Sequence, residues 1–156
     1  MVAPLRRTLA VCVPELERHC ADPWVVIGSA AAWLAGAEVT VADVDVLTSV
    51  RDARALIDHW QACLLGTDTL KDGDRFRSQF ARFEFPATVE VMGGLELATT
   101  DGWKAVRVEA IQTIEIDDVS VPIPTLAEQI RLLESFGRAK DKERAERLKQ
   151  LEGSQA

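Results

Sequence analysis

Val39-Thr40-Val41-Ala42-Asp43-Val44-Asp45-Val46-Leu47 reads as a buried strand that carries two acids. Side chains of a strand alternate between its faces, so Asp43 and Asp45 point the same way and Ala42, Val44 and Val46 point the other way, into a core. Two carboxylates about 7 Å apart along a strand repel each other and lose solvation. Such a pair needs water, a cationic side chain or a metal ion.

The stretches on either side supply the frame. Trp24-Val25-Val26-Ile27 is a short apolar run suited to a strand buried on both faces. Gly28-Ser29 ends it, and Ala30–Leu34 is an Ala-rich short helix stopped near Gly36. The link between the two strands is very short for a parallel crossover, so they can also pair as antiparallel neighbours. Upstream, Leu5–His19 has helical periodicity, with a new turn or a kink expected at Pro14. Downstream, Thr48-Ser49 can cap a helix over Arg51–Leu65. Gly66–Asp74 reads as a loop. Phe76–Phe85 reads as a strand whose alternation slips near Arg82, where a bulge is expected. Thr88–Met92 is a strand ended by Gly93-Gly94 and carrying Glu90 opposite the core-facing Val89 and Val91. Gln112–Ile116 and Val119–Ile123 form a hairpin about Asp117-Asp118. Thr125-Leu126-Ala127-Glu128 is a capping box for a helix to about Phe136, punctuated by Gly137. A last helix covers about Asp141–Leu151. The sum is one α+β (α/β) domain over residues 1–156: a mixed sheet with helices packed mainly on one face, a core over about 24–123 and a short C-terminal helical pair.

Composition narrows the classes. The chain has 156 residues, 47% of them hydrophobic, enough for one well-buried core. The net charge of −7 disfavours sequence-independent nucleic-acid binding, which needs many cations against phosphates. Positive residues gather at Arg75, Arg77 and Arg82, and again from Arg138 to Lys149, where interleaved acids suggest a solvated helix face. Cys12, Cys20 and Cys63 have no metal-ligand spacing and read as reduced packing thiols of a cytoplasmic protein. No signal peptide or membrane span is apparent. His19 and His59 read as isolated helical histidines. Trp24, Trp33 and Trp60 read as core, and Trp103 as a loop anchor or a stacking platform for a base.

Gly28-Ser29 at a strand-to-helix turn can hold an anion on backbone N–H groups, with Gly28 allowing close approach. Taken in order, Gly28-Ser29, Asp43-Val44-Asp45 and Glu90 resemble the DNA polymerase β-like nucleotidyltransferase superfamily. Its pattern is Gly-Gly or Gly-Ser, a helix, [DE]-x-[DE], and a later acid. The tail adds to this. Val121-Pro122-Ile123-Pro124-Thr125-Leu126 followed by Gly137-Arg138-Ala139-Lys140-Asp141 looks like the end of small bacterial members, the minimal and abortive-infection-toxin nucleotidyltransferases. The resemblance implies Mg²⁺-dependent transfer of a nucleoside monophosphate from an NTP to a hydroxyl of a small molecule, an RNA or a protein. It places one or two Mg²⁺ ions on Asp43 and Asp45. Glu90 completes the metal site or takes the hydroxyl proton, and Gly28, Ser29, Lys140 and Asp141 attend the triphosphate. Lys140 and Asp141 can also simply pair with each other.

Ala30-Ala31-Ala32-Trp33 stands where such proteins often carry an arginine, so Arg75, Arg77 or Arg82 is expected to replace it. The short C-terminal part leaves room for an acceptor site completed by a partner or a second copy. A non-catalytic module of the same fold, such as a toxin–antitoxin partner, is the alternative.

Overall fold

The computed structural model describes residues 2–68, 71–72 and 75–155. Helix α1 (Ala3–His19) precedes strand β1 (Val25–Ile27), helix α2 (Gly28–Leu34), strand β2 (Val44–Thr48) and helix α3 (Val50–His59). A 3₁₀ turn (Gln61–Cys63) leads into β3 (Leu64–Asp68), β4 (Lys71–Asp72), β5 (Phe76–Phe83), β6 (Val89–Thr99) and β7 (Gly102–Ala105). The hairpin β8 (Ile111–Ile116) and β9 (Val119–Pro124) comes before α4 (Leu126–Phe136) and α5 (Ala139–Gln155).

The main sheet is ordered β1-β2-β6-β5-β3, with β4 on β5 and β7 on β6. β2 and β6 run parallel and the other pairs antiparallel, so the sheet is mixed. The antiparallel option for β1 and β2 is the one adopted. One face carries Val44, Val46, Val89, Val91, Ala81 and Phe83 against Leu5, Leu9, Val13 and Leu16 of α1 and Ala53 and Leu56 of α3. On the other face Val25, Ile27, Leu47, Phe76 and Leu95 meet Leu132 and Phe136 of α4. Ala32, Ile130, Leu133, Ala145 and Leu148 then join α2, α4 and α5.

Several expectations change in register. The acid-bearing strand begins at Val44, not Val39. Ile27 ends β1 opposite Asp45, and Val89 opens β6 opposite Val44. Among the described residues no strand pairs with the segment upstream of residue 44, and Ala42 is exposed rather than in the core. Gly66–Asp68 belongs to strand β3, because its backbone pairs with Phe80–Arg82 of β5. Thr69, Leu70, Gly73 and Asp74 lie outside the described residues. Helix α1 continues through the exposed Pro14 without a break. Helix α3 ends at His59, six residues short of Leu65, and β5 ends at Phe83.

The longest departure is β6, which does not stop at Gly93-Gly94. Gly94 takes φ +62°, and the β5–β6 register shifts across Arg77–Gln79, where β6 holds one extra residue. This is a glycine bulge in β6, and a second register shift, between Leu64 and Gly66 of β3, falls opposite Phe83 and Arg82, where the sequence leads one to expect a bulge. The extra residue inverts the alternation, so that Leu95 and Leu97 join Met92 on the α4 face. Gly93 has a separate role. A Cβ there would lie 2.6 Å from Ala53 Cβ and 2.8 Å from the Ser49 carbonyl. The missing side chain lets the start of α3 rest directly on the sheet.

The caps match the sequence more closely. Ser49 accepts from the Asp52 amide, and Asp52 in turn accepts from the Ala21 and Asp22 amides and from Thr48 Oγ1. Thr125 accepts from the Glu128 amide, but Glu128 turns to the Glu109 amide and Arg131 instead of closing the capping box. Gly137 ends α4 at φ +72°. Asp117 and Asp118 take φ +45° and +68°, the left-handed pair that a two-residue hairpin turn demands.

Gly93→Ala is expected to destabilise the fold by roughly 1–3 kcal/mol, the usual cost of overpacking. Gly66→Ala, where an added Cβ meets nothing within 4 Å, should change stability by less than about 0.5 kcal/mol. Urea unfolding of the two variants checks this, and equal effects would contradict the packing assigned to Gly93.

Candidate active site

Strand register builds the site. Ile27, Asp45, Glu90 and Arg82 lie side by side across β1, β2, β6 and β5. Because Val44, Val46, Val89 and Val91 face α1 and α3, Asp45 and Glu90 share the opposite face. Arg82 Nε stands 3.3 Å from Glu90 Oε2.

Gly28 sits directly over Asp45. Its φ is +71°, and a Cβ there would fall 2.6 Å from Asp45 Oδ2. The sequence reads Gly28 as room for a ligand's close approach; the Asp45 carboxylate occupies the space a Cβ would take. Asp45 Oδ1 is buried and has no hydrogen-bond partner. Burial pushes the Asp45 carboxyl up to about 7, helped by the charges of Glu90 and Asp43 and by a hydrogen bond with Glu90, while Arg144 pulls it down. An orphaned oxygen within a group of hard carboxylate donors is the arrangement a hard divalent cation fits.

These residues open onto a cavity of about 260 Å³ between the sheet and helices α4 and α5. Gly28, Asp45 and Glu90 line one part of it. Phe76, Phe80, Met92, Leu132 and Phe136 give it an apolar wall. Arg77, Arg138, Lys140 and Arg144 bring positive charge to the same space. Of the residues singled out in the sequence, Gly28, Asp45, Glu90, Lys140 and Asp141 meet at this cavity. Asp43 is half-buried just before β2 and does not line it, although its charge reaches Asp45. Ser29 is buried in the first turn of α2 and does not line it either.

The tail is arranged differently from a Lys140–Asp141 pair. Asp141 is buried and is held by Arg138, whose Nε and second guanidinium nitrogen lie 2.6 and 3.1 Å from its two oxygens. Arg138 also stacks over Phe76 at 4.9 Å. Lys140 is left exposed at the cavity edge. Among the arginines offered as replacements, Arg77 reaches the cavity, oriented by Glu96 at 2.6 Å and by the Trp103 ring at 4.4 Å. Arg75 donates to the Phe136 carbonyl instead. Arg144 was hidden in what read as a solvated helix face; its signal was a spacing of three from Asp141, which puts both on one side of α5.

The raised Asp45 carboxyl has a stability consequence with a definite sign. The folded state resists ionisation, so stability falls as pH rises from about 4 to about 7 and stays low above that. Asp45→Asn should therefore stabilise the apo protein by roughly 1–3 kcal/mol at pH 8 and by little at pH 4. Thermal scans at the two pH values check this, and a larger gain at pH 4 would contradict it.

No protein-family model matches the chain, and no curated protein sequence matches it. Solved structures do. A candidate nucleotidyltransferase of Thermotoga maritima aligns with TM-score 0.76 at 22% identity, over 99% of this chain and 96% of its own. The lincosamide antibiotic adenylyltransferase LnuA, solved with lincomycin, aligns with TM-score 0.58 at 10% identity, over 90% of this chain and 94% of its own. An antigenic nucleotidyltransferase-like protein of Paracoccidioides brasiliensis aligns with TM-score 0.53 at 13% identity, over 94% of this chain and 74% of its own. Among the described residues, no helix is long and apolar enough to cross a membrane. The chain has the nucleotidyltransferase-like fold, in a small form that ends in a pair of helices.

Proposed function

We propose that the protein transfers a nucleoside monophosphate from an NTP to a hydroxyl group, with Mg²⁺ held by Asp45, Asp43 and Glu90. The observation that carries this reading is the buried, unpartnered Asp45 oxygen beside Glu90, in a cavity that also collects Arg77, Arg138, Lys140 and Arg144. Carboxylates and cations in one cavity suit a ligand that is both metal-chelating and polyanionic, and a nucleoside triphosphate is that ligand. When bound, Mg²⁺ supplies charge neutralisation at the reacting phosphate.

The chain's own groups do the positioning. Asp43 completes the acid set by turning toward Asp45. Lys140 and Arg144 draw the triphosphate in, and the Gly28 backbone at the cavity wall is the part of the β1–α2 turn within reach of its oxygens. Arg138, fixed by Asp141, and Arg77, fixed by Glu96 and Trp103, present donors with little rotamer freedom left to lose. Glu90 assists the metal or takes the acceptor hydroxyl's proton. No covalent nucleophile is required, since positioning and electrostatic stabilisation suffice for phosphoryl transfer. The apolar wall of Phe76, Phe80 and Phe136 favours a small-molecule acceptor over a nucleic-acid end, in keeping with the net charge of −7. The neighbour solved with lincomycin makes hydroxylated antibiotics the first acceptors to try.

Calorimetric titration with Mg²⁺ and each of the four NTPs, followed by a pyrophosphate-release assay over an acceptor panel, tests the reading. One NTP is expected to bind in a Mg²⁺-dependent manner, and Asp45→Asn should lower turnover at least about 100-fold. Flat titrations for all four nucleotides would overturn it and favour the non-catalytic module, a toxin–antitoxin partner for example.

A further inference from the structure

The two histidines that read as isolated in the sequence meet in the fold. His19 is the last residue of α1 and His59 the last of α3. Their ring centroids are 3.6 Å apart with the planes tilted by 35°. Glu15, one turn before His19, completes the group: its Oε1 is 3.2 Å from His59 Nε2 and its Oε2 is 3.7 Å from His19 Nε2. One ligand atom from each residue lies within 4.8 Å of the other two.

An ordinary ion pair explains this group poorly. His19 Nε2 is buried and has no hydrogen-bond partner, a costly state for a ring nitrogen. Both helices also end here, so the negative ends of two helix dipoles converge on the cluster and favour a cation between them. Arg18 is the cation that now reaches Glu15, at 3.2 Å, but its side chain is 68% exposed and free to leave.

We propose that Glu15, His19 and His59 bind a divalent transition-metal ion, with zinc the best chemical match and water in the fourth position. Two imidazoles and one carboxylate are a borderline-soft donor set that suits zinc and not magnesium. Tetrahedral ligation at the usual bond lengths sets ligand atoms about 3.4 Å apart, so the present separations, all within 4.8 Å, would have to close by at most about 1.4 Å. Metal binding would fasten the end of α1 to the end of α3 on the sheet face opposite Asp45 and Glu90. The site is therefore independent of the proposed transfer reaction, and its role is to hold this helical layer together.

The test uses the full chain, stripped with chelator, in an Asp45→Asn/Glu90→Gln background that removes metal binding at the cavity. Zn²⁺ is titrated calorimetrically and in thermal scans, and Co²⁺ is titrated by absorption. The expected result is one equivalent bound, a rise in Tm with Zn²⁺, and visible Co²⁺ bands without a thiolate charge-transfer band. His19→Gln and His59→Gln should each weaken binding at least about tenfold and abolish the Tm rise, while Cys63→Ser should retain both. If a histidine variant fails to fold, the Co²⁺ spectrum of the parent decides. No binding, a Zn²⁺ response unchanged in the histidine variants, or a Co²⁺ spectrum dominated by thiolate would overturn the proposal.

Discussion

A carboxylate is held where a side chain on residue 28 would otherwise have to be. Asp45 is on the second strand of the sheet and is flanked by Val44 and Val46, which are buried to within 2% of complete. Burying each of those valines contributes about 1.5–3 kcal/mol, and the strand pleat then leaves Asp45 no choice of face. The same register that seals the core on one side thus presses an acid into a confined space on the other. Gly28 makes that arrangement sterically possible, and Glu90, directly beside Asp45, makes it electrostatically unfavourable in the absence of a cation. The arrangement becomes reasonable once the site is taken to receive positive charge.

The C-terminal helices supply the remainder of the cavity. Leu132 and Phe136 of α4 pack on the sheet face that carries the acids, and the left-handed Gly137 redirects the chain so that α5 begins beside the same cavity. Asp141 is the fixed point of this turn: it is almost fully buried and engages Arg138 through both the backbone amide and the guanidinium. Arg138 and Arg77 are therefore set by packing and ion pairing, while Lys140 stays exposed at the cavity edge. Apolar contact, a helix stop and an ion pair whose carboxylate is buried act together to place charge opposite charge.

Much of this was readable from local rules. The period-2 pattern gave the common face of Asp45 and Glu90, the two aspartates after Ile116 gave a turn, and Thr125 gave a helix start. What was not readable depended on long-range pairing. Residues 39–43 have the composition of a strand, but among the described residues no strand pairs with them. Gly93-Gly94 looked like a stop and is instead a bulge, because β5 continues to offer a ladder on its other side. Arg144 looked like one charge among many until α5 docked. His19 and His59 are 40 residues apart, and only the packing of α1 on α3 brings them into contact. The Glu15–His19 spacing of four was visible in the sequence, but one turn of helix gives two ligands, and the third came from tertiary structure.

Burial beside Glu90 puts the Asp45 carboxyl under an electrostatic strain that a bound cation would relieve. Carboxyl ¹³C NMR titration of the apo protein, with Asp45 assigned through Asp45→Asn, measures this directly. The expected result is an apparent midpoint near 7 that moves down toward the ordinary carboxylate range when Mg²⁺ is added. A midpoint already in the ordinary range and indifferent to Mg²⁺ would contradict it.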